Sequence, residues 1–364
     1  MADRLRAGIV GAGFMVEVHA RAIRAAGGVV ARVAASTPER SAAAAPRLGA
    51  EGVAESTEAL LAAEDVDVVH VCTPNTLHVP VAEGALAAGK PVVCEKPLAT
   101  TVEDARRLTT TAGQTALVAT VPFVYRFYAT VREARARIAA GEAGPLRLLH
   151  GTYLQDWLSK RDDSNWRIDP QLGGASRAFG DIGVHWCDLM EFATGHRITR
   201  LIASMLTAFD RRPVETGSTA VGTEDAATVL FETDQGACGA VVISQVSPGR
   251  KNRLWFSFDG ADASLSFDQE SPDSLWIGGR AYNQILMRGA EGTSQAAARY
   301  SILPAGHPQG YQDSFNAFVA DAYAAVMGAE PEGLPTFADG LRAAILTQAV
   351  VDSATSRAWV EVPE

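Results

Sequence analysis

Cysteine is scarce in this chain, and what there is does not cluster. The four cysteines, Cys72, Cys94, Cys187 and Cys238, include no C-x-x-C pair. Such spacing indicates neither a zinc ribbon nor a disulfide framework, and Cys72 and Cys94 instead close apolar runs, where buried thiols are common. No apolar run reaches the roughly 18 residues that span a bilayer. No Pro/Ser-rich or charge-rich tract marks a disordered arm. Basic charge is in deficit too: 32 Lys and Arg against 42 Asp and Glu leave a formal net charge of -10. That balance disfavours nucleic acid and anionic membranes as partners. The opening Met1-Ala2-Asp3-Arg4-Leu5-Arg6 lacks the apolar stretch and cleavage site of a secretory signal. These absences lead to the expectation of a cytoplasmic protein acting on a small metabolite.

What is present reads as two globular domains, since 364 residues exceed one ordinary core. From Arg6 to Pro122, short apolar runs alternate with amphipathic stretches, the pattern of parallel strands joined by crossover helices. Strands are expected at Ala7 to Val10, Val29 to Ala34, Val66 to Cys72, Pro91 to Cys94 and Ala116 to Thr120. Thr37 before Pro38, and Thr101 to Asp104, mark helix starts. The first turn, Gly11-Ala12-Gly13-Phe14-Met15-Val16, follows a strand and opens a helix, so Gly11 permits the turn and Gly13 lets backbone approach a pyrophosphate. The third glycine of G-x-G-x-x-G is missing, with Val16 in its place. No acid follows the second strand at Ala35 to bind an NAD ribose. Ser36, Thr37 and Arg40 there either accept a 2'-phosphate or merely cap the helix, which leaves NAD and NADP both open. Two further strand exits face the same sheet edge: Thr73-Pro74-Asn75 with His78, where His78 either lines the cofactor groove or starts a helix facing solvent, and Glu95-Lys96-Pro97, where a cation one step past a buried strand either looks into the ligand crevice or pairs with Glu95 at the surface. A cis bond before Pro97 would redirect that lysine at small cost.

Beyond Tyr125 the pattern changes to strand pairs, as in Val229 to Glu232 and Ala237 to Gln245 around Asp234-Gln235-Gly236. Helices are expected over Gln312 to Met327 and Phe337 to Ser353. Asp181 and His185 stand four apart, so on a helix they share a face, with Asp181 read either as a site residue or only as an N-cap. An imidazole titrating near ~6.5 suits a general base, and the Lys96 ammonium can polarise a hydroxyl oxygen. A metal is not expected, because this pair lacks further clustered ligands. Aromatic and amide groups in Tyr153-Leu154-Gln155-Asp156-Trp157 suit the C-H faces and hydroxyls of a pyranose.

The glycine turn, Thr73-Pro74-Asn75 with His78, Glu95-Lys96-Pro97 and Asp181-Ile182-Gly183-Val184-His185, in that order, resemble the Gfo/Idh/MocA oxidoreductase family over nearly the whole chain. The resemblance implies an α/β protein: an N-terminal Rossmann domain with a doubly wound parallel sheet, 1–122, and a C-terminal α/β domain with a large open, mainly antiparallel sheet, 123–364. The last helix is expected to pack back on the Rossmann domain. Assembly as a homodimer or homotetramer is implied. So is NAD or NADP held by Gly11, Gly13, Phe14, Met15, Ser36, Thr37, Arg40, Thr73, Asn75, His78, Glu95, Lys96, Trp166 and Arg167. Lys96, Asp181 and His185 are implied as the catalytic set, with the roles of Asp181 and His185 exchangeable. The Tyr-Leu-Gln-Asp-Trp segment is similar to family members of the levoglucosan dehydrogenase type, which adds Tyr125, Gln155, Trp157 and Tyr311 on the substrate side. The expected reaction is reversible oxidation of a secondary ring hydroxyl of a sugar, anhydrosugar or cyclitol. The rivals are an NAD-dependent glycosidase and a non-catalytic nicotinamide sensor.

Overall fold

The computed structural model describes residues 4–214 and 217–364; Met1, Ala2 and Asp3, read above as lacking a leader sequence, lie outside the described residues. Two compact units divide the chain, Met1–Val124 with Tyr311–Ala344, and Tyr125–Gly310 with Ile345–Glu364.

In the first unit, β1 (Arg6–Val10), β2 (Val29–Ala34), β3 (Gly52–Val53), β4 (Val68–Val71), β5 (Val92–Cys94) and β6 (Ala119–Thr120) form a parallel sheet in the order β3-β2-β1-β4-β5-β6. Five helices connect them: α1 (Phe14–Ala25), α2 (Pro38–Leu48), α3 (Thr57–Leu61), α4 (His78–Ala87) and α5 (Val102–Gly113). Every residue of β4 is buried, as a strand covered on both faces requires. Strand order reverses between β1 and β4, so their carboxyl ends bound the crevice in which doubly wound sheets bind ligands. Local chemistry sets the helix starts: Thr37, Ser56 and Thr101 accept the N–H groups of Arg40, Ala59 and Asp104. Val16, in place of the third glycine, is fully buried on α1.

The second unit contains α6 (Ala129–Ala139), β7 (Leu146–Leu154), α7 (Pro170–Gly173) and α8 (Val184–Thr194). Its strands continue as β8 (Ile198–Leu206), β9 (Arg211–Val214), β10 (Gly217–Ala220), β11 (Ala226–Thr233), β12 (Cys238–Ser244), β13 (Arg253–Gly260), β14 (Ala263–Asp268), β15 (Ser274–Gly279) and β16 (Asn283–Met287), followed by α9 (Gln295–Ala298). With β17 (Val360–Glu361), nine strands make an open sheet, β16-β15-β14-β13-β7-β12-β11-β8-β17, antiparallel except for β7 beside β12. Residues of β11 alternate between buried and exposed, so one face carries the core. Trp186 of α8 docks there, donating its indole N–H to the Trp255 carbonyl at 2.9 Å. Gly151 makes room for it, because a Cβ at that position would lie 2.4 Å from the indole nitrogen.

Helices α10 (Tyr311–Val326) and α11 (Phe337–Ser356) close the chain. The expected single domain over 123–364 differs from this division, because Tyr311–Ala344 returns to the first unit. There α10 buries Phe315, Phe318, Val319 and Tyr323, with the Phe315 ring 4.7 Å from that of His19 on α1. Only the beginning of α11 belongs with that unit.

Candidate active site

At the β1 exit, Gly11 has φ +134°, and a Cβ there would lie 2.4 Å from the Cys72 carbonyl oxygen. Its glycine is therefore a requirement of the fold. Gly13 differs, since it has φ -83° as N-cap of α1 and an added Cβ would meet nothing within 4 Å. No side chain caps α1, so its first-turn N–H groups present a positive helix end beside open space. Phe14 is exposed there and Met15 half-buried. After β2, Thr37 caps α2, while Arg40 donates to Ser36 Oγ at 3.1 Å. Capping thus accounts for Thr37, and Arg40 and Ser36 stand together on the surface.

The other two exits are stapled by His78, whose Nδ1 lies 2.7 Å from the Pro97 carbonyl and whose Nε2 lies 3.0 Å from that of Thr73. Both oxygens only accept, so the imidazolium makes both bonds and either neutral tautomer makes one. Burial pushes the His78 pKa below the ordinary range, opposed by the two carbonyls and Glu95. Thr73 Oγ1 is buried without a hydrogen-bond partner, and Asn75 is buried in the short turn Asn75–Leu77. Lys96 is half-buried and precedes a cis peptide to Pro97, as the sequence allowed. Its backbone N–H donates to Glu95 Oε2 at 3.2 Å. An uncapped helix end, the open space before Gly13 and the unpartnered Thr73 hydroxyl fit a dinucleotide.

In the second unit, Asp181 and His185 do not lie on one regular α-helix, which corrects the sequence expectation. Phe179–Gly183 forms a π-helical turn that leads into α8. The Phe179 ring covers Gly183, where a Cβ would lie 2.5 Å from the ring, and the extra residue per turn rotates Asp181 relative to His185. Glu224 anchors this turn by accepting from Ser176 Oγ, Arg177 N and Phe179 N at 2.7, 3.1 and 2.8 Å. Asp225 beside it is buried between Arg177 and Arg212. Asp181 is not an N-cap of α8; its Oδ2 accepts from Gln245 at 2.9 Å and its Oδ1 lies 3.8 Å from Arg167.

Beside His185 lies a cluster whose polarity is set from one end. The Trp157 indole can only donate, and it does so to Gln155 Oε1 at 2.7 Å, which fixes the amide and turns Gln155 Nε2 toward Asn252 Oδ1 at 2.7 Å. Asn252 Oδ1 also accepts from the Tyr153 hydroxyl at 2.8 Å, and Asn252 Nδ2 donates to the Tyr125 hydroxyl at 3.1 Å. Tyr125 completes a ring of donors by bonding Tyr153. Burial raises the Tyr125 pKa, so its phenol stays protonated. The His185 ring, itself buried, meets Tyr125 edge to face at 5.1 Å and Tyr153 at 6.4 Å.

The structure therefore links Tyr125, Gln155 and Trp157 through Asn252, with Tyr125 and Tyr153 against the His185 ring. Arg167 stacks on its own neighbour Trp166 at 4.3 Å and reaches toward Asp181, while Tyr311 begins α10 in the first unit. Asn252 and Gln245 were not legible as site residues, because Gly249-Arg250-Lys251-Asn252 reads as a turn and Gln245 as the end of a strand. Among the described residues no group of three or more His, Cys, Asp or Glu could hold a metal, and no helix is long and apolar enough to cross a membrane.

A doubly wound sheet with a glycine turn, joined to an open-sheet unit carrying a histidine among tyrosines and amides, defines a two-domain nicotinamide-dependent oxidoreductase. Residues 5–123 match a family described as oxidoreductase family, NAD-binding Rossmann fold, and 131–266 match the GFO/IDH/MocA C-terminal domain. The chain belongs to the Gfo/Idh/MocA family. It is similar to a levoglucosan dehydrogenase of Pseudarthrobacter phenanthrenivorans, 30% identical and covering 100% of this chain and 99% of the relative. An oxidoreductase domain protein from Kribbella flavida superposes with TM-score 0.92 at 33% identity, over 99% of this chain and 100% of that one. A levoglucosan dehydrogenase in complex with NADH and L-sorbose gives TM-score 0.92 at 28% identity over 100% of each chain.

Proposed function

We propose that this protein oxidises a secondary ring hydroxyl of a sugar, anhydrosugar or cyclitol to the ketone, reversibly, with levoglucosan or a similar pyranoside as the sharpest candidate. The observation that carries the reading is the polarity-locked cluster of Tyr125, Tyr153, Gln155, Trp157 and Asn252 beside His185. Aromatic faces next to directional amides and hydroxyls suit a ring that is apolar on its C-H faces and hydroxylated at its edge. Relatives named levoglucosan dehydrogenase and inositol 2-dehydrogenase support the same class.

NAD or NADP, when bound, supplies the hydride acceptor. Gly11, Gly13, Phe14, Met15, Ser36, Thr37, Arg40, Thr73, Asn75, His78, Glu95, Lys96, Trp166 and Arg167 are the residues that would hold it. The Lys96 ammonium stabilises the oxygen as it becomes an alkoxide, and His185 takes the hydroxyl proton. Asp181, held by Gln245, orients the substrate or the imidazole, and its role and that of His185 are exchangeable, since a carboxylate and an imidazole both accept a proton. Tyr125, Gln155, Trp157 and Tyr311 bind the ring. The enzyme acts in the cytoplasm, and its assembly as a homodimer or homotetramer is supported by Leu148, Leu230 and Val242, exposed on the adjoining strands β7, β11 and β12.

Nicotinamide absorbance with a panel of levoglucosan, pyranosides and cyclitols, run with each cofactor, tests this directly. Substrate-dependent reduction is expected, and Lys96→Ala should lower kcat at least ~10²-fold while nicotinamide binding persists. Sugar release without net nicotinamide reduction, or near-normal turnover by Lys96→Ala, would overturn the assignment.

A further inference from the structure

The core of the first unit holds a line of polar groups that, up to Glu95, has no part in this reaction. The Tyr323 hydroxyl of α10 lies 3.0 Å from His70 Nε2 on β4. His70 Nδ1 lies 2.8 Å from His19 Nδ1 on α1, and His19 Nε2 lies 2.9 Å from Glu95 Oε1. Glu95 Oε2 then accepts the backbone N–H of Lys96. Both histidines are 0% exposed and Tyr323 is 2% exposed. An apolar residue between Val69 and Val71 would fill the strand position of His70 without having to satisfy two ring nitrogens.

The protons along this line are constrained. Two Nδ1 atoms in hydrogen-bond contact share one proton, so the rings are never both imidazolium. Burial, and then the neighbouring His19, hold His70 neutral. Burial also pushes the Tyr323 hydroxyl far above its ordinary range, with Asp67 adding to it, so the phenol keeps its proton. Burial alone would favour the acid form of Glu95, but His19, Lys96 and His78 together hold its carboxyl below the ordinary range. With Tyr323 donating to Nε2 of His70, His70 donating from Nδ1 and His19 donating from Nε2, each donor meets one acceptor and the line ends on a carboxylate.

We propose that Tyr323, His70 and His19 are positioning residues for Lys96: their hydrogen bonds present an N–H to Glu95, which stays a carboxylate and clamps the Lys96 backbone at the exit of β5. The proposal rests on the role given to Lys96 above. The groups facing Glu95 are His19 from α1, His78 from α4, Lys96 beside it, and the Cys72 and Cys94 thiols, which burial and Glu95 itself keep protonated. Of these, the His19 N–H bonds Glu95 directly and the Lys96 ammonium adds charge beside it, and both favour the carboxylate.

The test uses full-length Tyr323→Phe, His70→Phe, His19→Leu and His19→Gln, with kcat and KM measured against pH. Tyr323→Phe should lower kcat about tenfold, with the nicotinamide KM unchanged. The acid limb of the kcat profile should move to higher pH in Tyr323→Phe and further in His19→Leu, because burial then acts on Glu95 with less opposition. His19→Gln keeps an N–H for Glu95 and should recover part of the loss. Profiles of Tyr323→Phe and His19→Leu that superpose on wild type, or a Gln variant no better than Leu, would overturn the proposal. Proton NMR of wild type should also show one low-field imidazole proton that His70→Phe removes; its absence overturns the line without reference to turnover. A wild type that shows this proton but oxidises no compound of the panel supports the line and sinks the oxidoreductase role of Lys96.

Discussion

Gly11 and Gly13 stand two residues apart in one turn, yet alanine at each should have opposite effects. At Gly11 a methyl would sit 2.4 Å from the Cys72 carbonyl oxygen and 2.8 Å from its carbon, both backbone atoms of the neighbouring strand exit. The positive φ adds about 1–3 kcal/mol of strain, and the collision can be relieved only by moving β1 away from β4. Gly11→Ala should lose about 3 kcal/mol or more, a fall in Tm on the order of 10 °C. At Gly13 no such contact exists. Alanine is a poorer N-cap than glycine by some tenths of a kcal/mol, which a stiffer unfolded chain offsets, so Gly13→Ala should stay within about 0.5 kcal/mol of wild type. Its methyl would instead occupy the space through which a pyrophosphate reaches the α1 amides, weakening nicotinamide binding at least about tenfold, or about 1.4 kcal/mol. Thermal unfolding with and without NADH or NADPH reads both effects, since the ligand-induced stabilisation shrinks by that same amount at saturating cofactor. A Gly13→Ala variant that binds like wild type, or a Gly11→Ala variant of wild-type stability, would refute the division between fold glycine and cofactor glycine.

Asn252→Ala should leave Tyr125, Tyr153 and Gln155 without their common partner and cut kcat/KM for the sugar about tenfold to hundredfold, with nicotinamide KM unchanged; steady-state kinetics decide this, and an unaltered kcat/KM would remove Asn252 from the site. Ala35→Asp should raise the NAD over NADP ratio of kcat/KM by about tenfold, since a carboxylate binds the ribose hydroxyls and repels a 2'-phosphate. An unchanged ratio would show that position 35 does not face the ribose. Asp225→Asn should cost about 3–5 kcal/mol at pH 7, because Arg177 and Arg212 remain buried without their counter-charge. Burial alone would raise the Asp225 carboxyl, but the two arginines and the Ala208 N–H hold it below the ordinary range. Its contribution is therefore full above the unfolded Asp pKa near ~3.9 and fades as pH falls through the lower folded value. Acid unfolding of the variant should show that much less pH dependence.

Much of the first unit was legible because its signals are local. Val29 to Ala34 forms the expected strand, and Thr37 and Thr101 cap the expected helices, since a cap needs only a side-chain oxygen and an N–H three residues on. Strand ends were less legible: Val66 to Cys72 shortens to Val68–Val71 and Ala116 to Thr120 to Ala119–Thr120, because hydrophobicity continues past the last ladder hydrogen bond. Four-residue spacing suggested a regular helix through Asp181 and His185, but the π-helical turn depends on Phe179 over Gly183 and on Glu224, more than 40 positions along the chain. No window of local sequence holds that information.

Glutamate and lysine beside a proline at a strand exit announced Lys96, whereas the groups proposed to hold it in place gave no sign. Tyr323 reads as a core residue of an amphipathic helix, and His70 as an intruder in a valine strand; they are 253 residues apart and meaningful only as a pair. Asn252 likewise looks like turn chemistry until the Trp157 indole, a donor only, sets the amide of Gln155 and through it that of Asn252. The reactive group is legible because its chemistry demands a rare residue in a recognisable place. Its supports are chosen for complementarity of donor and acceptor across distant elements, so many residue types would serve and no single one is marked. It follows that substitutions among the supports should be tolerated in pairs that restore donor and acceptor, while Lys96 should tolerate none: Tyr323→Phe combined with His70→Leu should recover stability lost by His70→Leu alone, yet leave the acid limb displaced. Recovery of both stability and the wild-type pH profile in that double variant would show that the line serves packing and nothing else.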